Sequence, residues 1–297
     1  MSILFRVAAL TGAVFMAACS GAKESSTQSE LPPQPPMWVV SDADSEITLY
    51  PTIHILPDGV TWKSEAMTKR LANAEEVWFE IIPGSETDPA LQLAAVQLGM
   101  APGSSLASQL TDEEVEKLKK AIAPLGVPFE AIDIMKPWMA SNLVAVGALS
   151  EIGFNPEAGV EKQLVPLVEG KKIRGLETAQ QQLEMLAGLP EDTQLQMLKD
   201  SLSEMDEMLE TINEMVKDWS VGDVDDLEKE FIDEMKAETP AAYEIIIKNR
   251  NIDWAKQIED ELKGSGTDFM AVGAGHLVGD DSVQAILKAR GISVKRL

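Results

Sequence analysis

The apolar runs of this chain that read as strands gather at its two ends, and that placement limits the folds open to it. Trp38-Val39-Val40 and Ile47-Thr48-Leu49-Tyr50 flank the polar Ser41-Asp42-Ala43-Asp44-Ser45 in the manner of a β-hairpin. Val77 to Ile82 is a further short apolar run, ended by Pro83-Gly84. At the other end lie Phe269 to Val272 and Ile292 to Arg296. Between about Leu91 and Met235 the pattern is mostly helical. A sheet then has to be assembled across that middle, and the expectation is an α/β (α+β-like) fold. Its sheet is built from N- and C-terminal segments and carries a large helical middle insertion, about 91–263.

Local signals place the helices. Ser64 reads as the N-cap of a helix to Ala74, and Thr111-Asp112-Glu113-Glu114 is a capping-box start for a helix through Ile122. Lys136 to Leu149 is an apolar helix with Pro137 in its first turn. Gly159 to Val168 and Thr178 to Leu189 follow, separated by the strand-like Lys172 to Leu176. Asp192 to Asp218 reads as one long Met- and Glu-rich amphipathic stretch, whose Met197, Met205, Met208 and Met215 suit packing on a helix face. Tyr243 to Lys263 carries one or two helices, and Asp281 to Arg290 another.

The first residues read as an export signal. Arg6 precedes an apolar run from Val7 to Ala17 that is too short to span a bilayer, and small residues lead into Cys19, the one cysteine of the chain. The layout resembles a bacterial lipoprotein signal, in which residues 1–18 are removed and Cys19 is acylated. The plain alternative is an ordinary signal with a chance cysteine. Residues 19–36, polar and then rich in proline, read as a lipidated cysteine and a disordered tether. The body is expected over 37–297, long enough for a substantial core. The resemblance implies a membrane contact through the N-terminal lipid, at the periplasmic face of the outer membrane of a Gram-negative bacterium. The formal net charge of −24 repels nucleic acid, so no nucleic-acid partner is expected.

Only two histidines occur in the 297 residues, and each closes a short motif directly after a strand-like run: Pro51-Thr52-Ile53-His54 and Gly273-Ala274-Gly275-His276. In an open α/β sheet, ligands sit beyond the carboxyl ends of the strands. Gly273 and Gly275 would allow tight turning and close approach to a bound group. Glu80 interrupts the apolar run Val77 to Ile82; buried, it needs a partner, a metal or a raised pKa, whereas at a strand edge it faces solvent. Two histidines and a carboxylate form a ligand set for a divalent metal ion, which could polarise a carbonyl and generate hydroxide from water. Taken singly, each of these residues also suits a structural role.

Tyr50-Pro51-Thr52-Ile53-His54, Glu76-Val77-Trp78-Phe79-Glu80-Ile81 and Ala271-Val272-Gly273-Ala274-Gly275-His276-Leu277-Val278-Gly279 together resemble the TraB/GumN family, which includes the Tiki metalloproteases. Lys136-Pro137-Trp138, Gly175-Leu176-Glu177-Thr178 with Gln181 and Gln182, Arg250-Asn251 and the segment Gly291 to Leu297 extend the likeness across the whole body. The resemblance implies a hydrolase-like fold and metal-dependent cleavage of a peptide or protein substrate. His54, Glu80 and His276 would be catalytic and hold the ion, with manganese, cobalt or zinc suiting the set. Arg250 would orient a carboxylate or stabilise developing charge, or else be a buried arginine pairing with an acid such as Glu177. Asn251 would bond in the site or cap a helix starting at Ile252, the latter being the simpler reading. Tyr243 suits partial burial with a partner for its hydroxyl. Pro51 stands where the family has glycine, and proline fixes φ and removes an N–H. That substitution motivates a second reading, a non-catalytic binding or assembly factor of the envelope, for example in exopolysaccharide production. Substrate and oligomeric state are not written in the sequence.

Overall fold

A computed structural model describes residues 33–203, 205 and 208–297, with the side chains of 208–210 excepted. The export signal, Cys19 and most of the expected tether lie outside the described residues. The body begins slightly before residue 37. Pro35 and Pro36 are buried, and the Gln34 N–H donates to the Ser220 carbonyl at 2.8 Å.

Among the described residues eight strands form: β1 (Trp38–Ser41), β2 (Ser45–Thr52), β3 (Leu56–Pro57), β4 (Glu76–Phe79), β5 (Phe154–Asn155), β6 (Lys172–Gly175), β7 (Gly266–Gly273) and β8 (Ser293–Arg296). Six of them make one sheet in the order β6-β4-β7-β2-β1-β8. β6, β4, β7 and β2 run parallel, whereas β1 is antiparallel to both β2 and β8. The sheet is thus assembled from both ends of the chain, as the strand pattern predicts. The middle segment contributes its own edge strand, β6. β3 and β5 pair separately as a two-stranded ribbon.

Period-two alternation decides what each face buries. Along β7, Phe269 and Ala271 enter the larger core with the helical middle. Met270 and Val272 enter a second core on the other face, beneath Trp254 and Ile258 of the helix Asn249–Glu261 and Val283 and Leu287 of Val283–Ala289. The capping signals work as read: Ser64 accepts from the Met67 N–H, and Thr111 with Glu114 closes a reciprocal box. The stretch expected as one helix over Asp192 to Asp218 is two, Glu191–Ser203 and Met208–Val221, each burying its own face. Met197 and Met215 are core residues on these helices, as helix-face packing predicts; Met205 lies in the turn between them and packs against the same core, and the side chain of Met208 lies outside the described residues. No helix of the described residues is long and apolar enough to cross a membrane.

The helix carrying Arg250 begins earlier than its sequence suggests. Pro240–Tyr243 runs through a π-helical turn, Glu244–Lys248, straight into Asn249–Glu261. Asn251 is therefore interior and caps nothing, which corrects the expected start at Ile252. Pro51 sits in the regular strand β2, in register with Val272, and its carbonyl accepts from Trp219 Nε1 at 3.1 Å. Among the described residues no non-glycine residue has positive φ, so the proline meets no conformational demand it cannot satisfy.

At the opposite, amino-terminal edge of the parallel strands, Asp268 stands in register with Glu76. Burial, then the charges of Glu261 and Glu76, push its carboxyl up to about 6. A carboxyl whose folded pKa exceeds its unfolded value holds its proton better folded, so stability is lost as pH rises through that interval. Asp268→Asn is expected to stabilise the fold at pH 7 by about 1 kcal/mol, allowing for solvent screening at this half-buried site. Little change is expected below about pH 4, and urea melts at the two pH values check it.

Candidate functional site

The four parallel strands each release a polar residue just past their carboxyl ends. Glu177 follows β6, Glu80 follows β4, His276 follows β7 and His54 follows β2. The Leu176 N–H donates to the Phe79 carbonyl and the Glu177 N–H to that of Glu80, at 2.9 and 2.8 Å. These bonds carry the β6–β4 ladder beyond the strands and hold the two glutamates side by side. A Thr178–Gln181 capping box then starts the helix Ala179–Ala187, whose inner face presents Gln182.

Arg250 occupies the centre. Its Nε and Nη2 both contact Glu177 Oε1, at 2.7 and 2.6 Å, and Nη2 donates to Glu80 Oε2 at 2.6 Å. Nη1 donates to the Ile246 carbonyl at 3.1 Å and to His276 Nε2 at 2.9 Å. A guanidinium has five N–H groups and no acceptor; four of those of Arg250 are in hydrogen bonds, and Nη2 also stands in ionic contact with Glu177. Because arginine only donates, His276 Nε2 must accept, and the proton of that ring sits on Nδ1. Nδ1–H donates to Asn251 Oδ1 at 2.6 Å, and Asn251 Nδ2 donates to the Asp281 carbonyl at 2.8 Å. Glu80 Oε1 accepts from the Gly273 N–H at 2.8 Å, and Oε2 also from Gln182 at 3.1 Å. Trp254 covers the cluster, its ring 4.3 Å from that of His276 and 4.7 Å from the guanidinium.

Burial sets the electrostatics. Glu80, Arg250 and His276 keep 5, 6 and 0 % of their exposure, so their charges interact through protein rather than water. Burial, then the Arg250 charge, holds the imidazole of His276 well below its ordinary pKa, and it is neutral. Burial works against the Arg250 charge, but Glu177 and Glu80 outweigh it and raise its pKa. Burial raises Glu177 above the usual carboxylate range despite Arg250.

His54 is placed differently. Its Nδ1 lies 2.8 Å from Glu161 Oε1, and its side chain keeps 9 % exposure. Burial opposes the Glu161 charge, yet His54 and the Thr52 hydroxyl hold its pKa below the ordinary value. A charge on His54 is also felt at His276, so the two imidazoles lie near one another.

The expected residues thus divide. Glu80, His276 and Arg250 come together, with Glu177, Gln182 and Asn251 around them, and His54 stands beside them with a partner of its own. Arg250 is the buried arginine paired with Glu177, and with Glu80 as well. Tyr243 finds its hydroxyl partner in Asp281 Oδ2 at 2.7 Å. Gly273 takes φ −50° and ψ 138°, and neither it nor Gly275 has positive φ, so the expected tight glycine turn is replaced by a 3₁₀ turn, Ala274–Leu277. Glu161 escapes sequence reasoning because a glutamate in a short helix reads as surface; the tell is Gly159, where a Cβ would fall 1.9 Å from the His54 carbonyl oxygen.

A shared divalent ion meets an obstacle in this arrangement. Glu80 and His276 approach to 3.8 Å, but the lone pair of His276 already faces a guanidinium and both oxygens of Glu80 are engaged. A dication would stand against the fixed charge of Arg250. Among the described residues, no group of three or more histidine, cysteine, aspartate and glutamate side chains converges as ligands. As arranged, His54, Glu80 and His276 do not fit one ion.

Comparison with known proteins gives one match. The family described as the TraB/PrgY/gumN family matches residues 36–296, nearly the whole of the described chain. Neither a curated protein nor a solved structure matches.

Proposed function

We propose that this chain, which belongs to the TraB/PrgY/gumN family, is a lipid-anchored envelope hydrolase that cleaves peptide bonds at the carboxyl ends of its parallel strands. The observation that carries this reading is the His54–Glu161 pair. An imidazole whose Nδ1–H is held by a carboxylate is the oriented pair of a general base, which takes a proton from water as the water attacks a carbonyl carbon. Four of the five N–H groups of Arg250 are held in hydrogen bonds within the cluster, so it acts chiefly through its nearby fixed charge and by locking Glu80 and His276. The proton taken by His54 is returned to the leaving amine. The lipid on Cys19 places the protein at the periplasmic face of the outer membrane.

A metal-dependent form of the same reading is favoured by one observation: both imidazoles have Nδ1 turned to an oxygen, the outer-shell arrangement of metal-ligating histidines. It requires Arg250 to leave His276 Nε2. The full chain, purified in detergent, is to be incubated with a library of internally quenched peptides after chelator treatment. Manganese, cobalt or zinc is then added while binding is followed by calorimetry. Cleavage that survives the chelator, without stoichiometric ion binding, is the expected result. Activity that returns only with an ion, and ion binding lost in His54→Ala/His276→Ala, establishes the metal-dependent form. No cleavage under any condition overturns both and favours the binding or assembly role. Mass spectrometry of the N-terminal peptide tests acylation of Cys19.

A further inference from the structure

We infer that Glu161 is the positioning residue for His54, and that the segment from Phe154 to Leu164 is built as a clamp that sets the pair. The inference rests on the hydrolase reading, which it deepens, and its evidence is geometric. The polypeptide leaves His54 and within two residues enters β3, which pairs with β5 just ahead of Gly159. Asn155 Nδ2 donates to Asp58 Oδ1 at 2.9 Å, a side-chain bond across the same ribbon. The Val160 N–H then donates to the Ile53 carbonyl at 3.0 Å. Gly159 presses on the His54 carbonyl so closely that a Cβ would fall 1.9 Å from its oxygen. Lys162 meets Glu86 at 3.2 Å and ties the same short helix to the turn beyond Glu80.

Together these contacts fix the segment that carries Val160–Leu164 against the His54 loop and its surroundings. Their joint effect is to deliver one carboxylate to Nδ1 of one imidazole. Both Glu161 oxygens are shut off from solvent, so the carboxylate cannot be satisfied by water in place of His54. An incidental surface ion pair has neither feature, and such pairs contribute little. The titratable group that feels the charge of His54 from a neighbouring element is His276, past the end of β7.

The scarcity of histidine makes the test clean. With two histidines in the chain and His276 held neutral by burial and Arg250, the second imidazole signal is that of His54. The full chain, labelled with ¹⁵N-histidine, is titrated by long-range ¹H–¹⁵N NMR beside Glu161→Gln and Glu161→Asp, with melting curves to check each fold. The expected result is a downward shift of the His54 midpoint in Glu161→Gln and a smaller one in Glu161→Asp, which keeps the charge but shortens its reach. The acid limb of peptide cleavage should move with the midpoint. An unchanged midpoint in whichever variant folds overturns the inference. A shifted midpoint in a chain that cleaves no peptide upholds the positioning role and overturns the hydrolase reading, so the two failures are distinct.

Discussion

Replacing Arg250 with methionine should cost the fold about 3–5 kcal/mol at pH 7.5, the range for breaking a buried ion pair by removing one partner. Methionine fills much of the volume but leaves Glu80 and Glu177 side by side in the interior without their cation. It also strips His276 Nε2 and the Ile246 carbonyl of their donor. The loss should depend on pH in a definite direction. Glu177 is already raised above the usual carboxylate range by burial, with Arg250 pulling the other way. Once the guanidinium is gone, burial and Glu80 dominate and the carboxyl rises further. The folded variant then takes up protons that the unfolded chain does not. Its stability falls as pH rises from the usual carboxylate range upward, and the deficit against the parent narrows as pH falls. Urea melts at pH 7.5 and 5 measure both effects. A variant within about 1 kcal/mol of the parent at the higher pH would show that the cluster is not the electrostatic keystone its geometry implies.

The second large effect concerns rate. His54→Gln should lower kcat for peptide cleavage by about 10²- to 10⁴-fold, the usual contribution of a positioned general base, while KM changes little. Glutamine keeps an N–H for Glu161 but offers no basic lone pair. The stability cost should be smaller than for Arg250→Met, because His54 is less buried than Arg250 and leaves one carboxylate rather than two without its partner. What cost there is appears where Glu161 is ionised and exchanges the imidazole N–H for a weaker amide donor. Quenched-peptide kinetics and melting curves on the full chain separate the two, and an unchanged kcat removes His54 from the chemistry.

These expectations draw on residues of unequal legibility. The strands at the chain ends could be read because their faces alternate: Phe269 and Ala271 point to one core, Met270 and Val272 to the other. The ends of β2 and β7 could be matched because each is followed by one of only two histidines. Glu80 stood out as a carboxylate in an apolar run, and its burial follows from the partners it meets. Other parts depend on contacts between distant segments. The strand order puts β7 between β4 and β2, which nothing local to those strands specifies. Asn251 resembled a cap because its neighbours suit a helix start; the π-helical turn before it carries the helix past that point. Glu161 had no local mark, since its role depends on a backbone contact between Gly159 and His54. The engagement of Arg250 by Glu177, Glu80, Ile246 and His276 is likewise a property of the assembled site. It changes the part expected of that residue, from a group that grips substrate to one that fixes its neighbours.

The closed set of bonds around that guanidinium also bears on how this chain can vary. Glu80, Glu177, Arg250 and His276 come from four separated stretches of sequence, yet each satisfies a need of the same cation or is satisfied by it. A change at one of them strands a charge or a lone pair in a site too buried for water to repair. The four positions therefore behave as one heritable unit. Drift can proceed freely around them, but a substitution within the set survives only when a second restores the balance, so relatives should carry these residues together or replace them in concert.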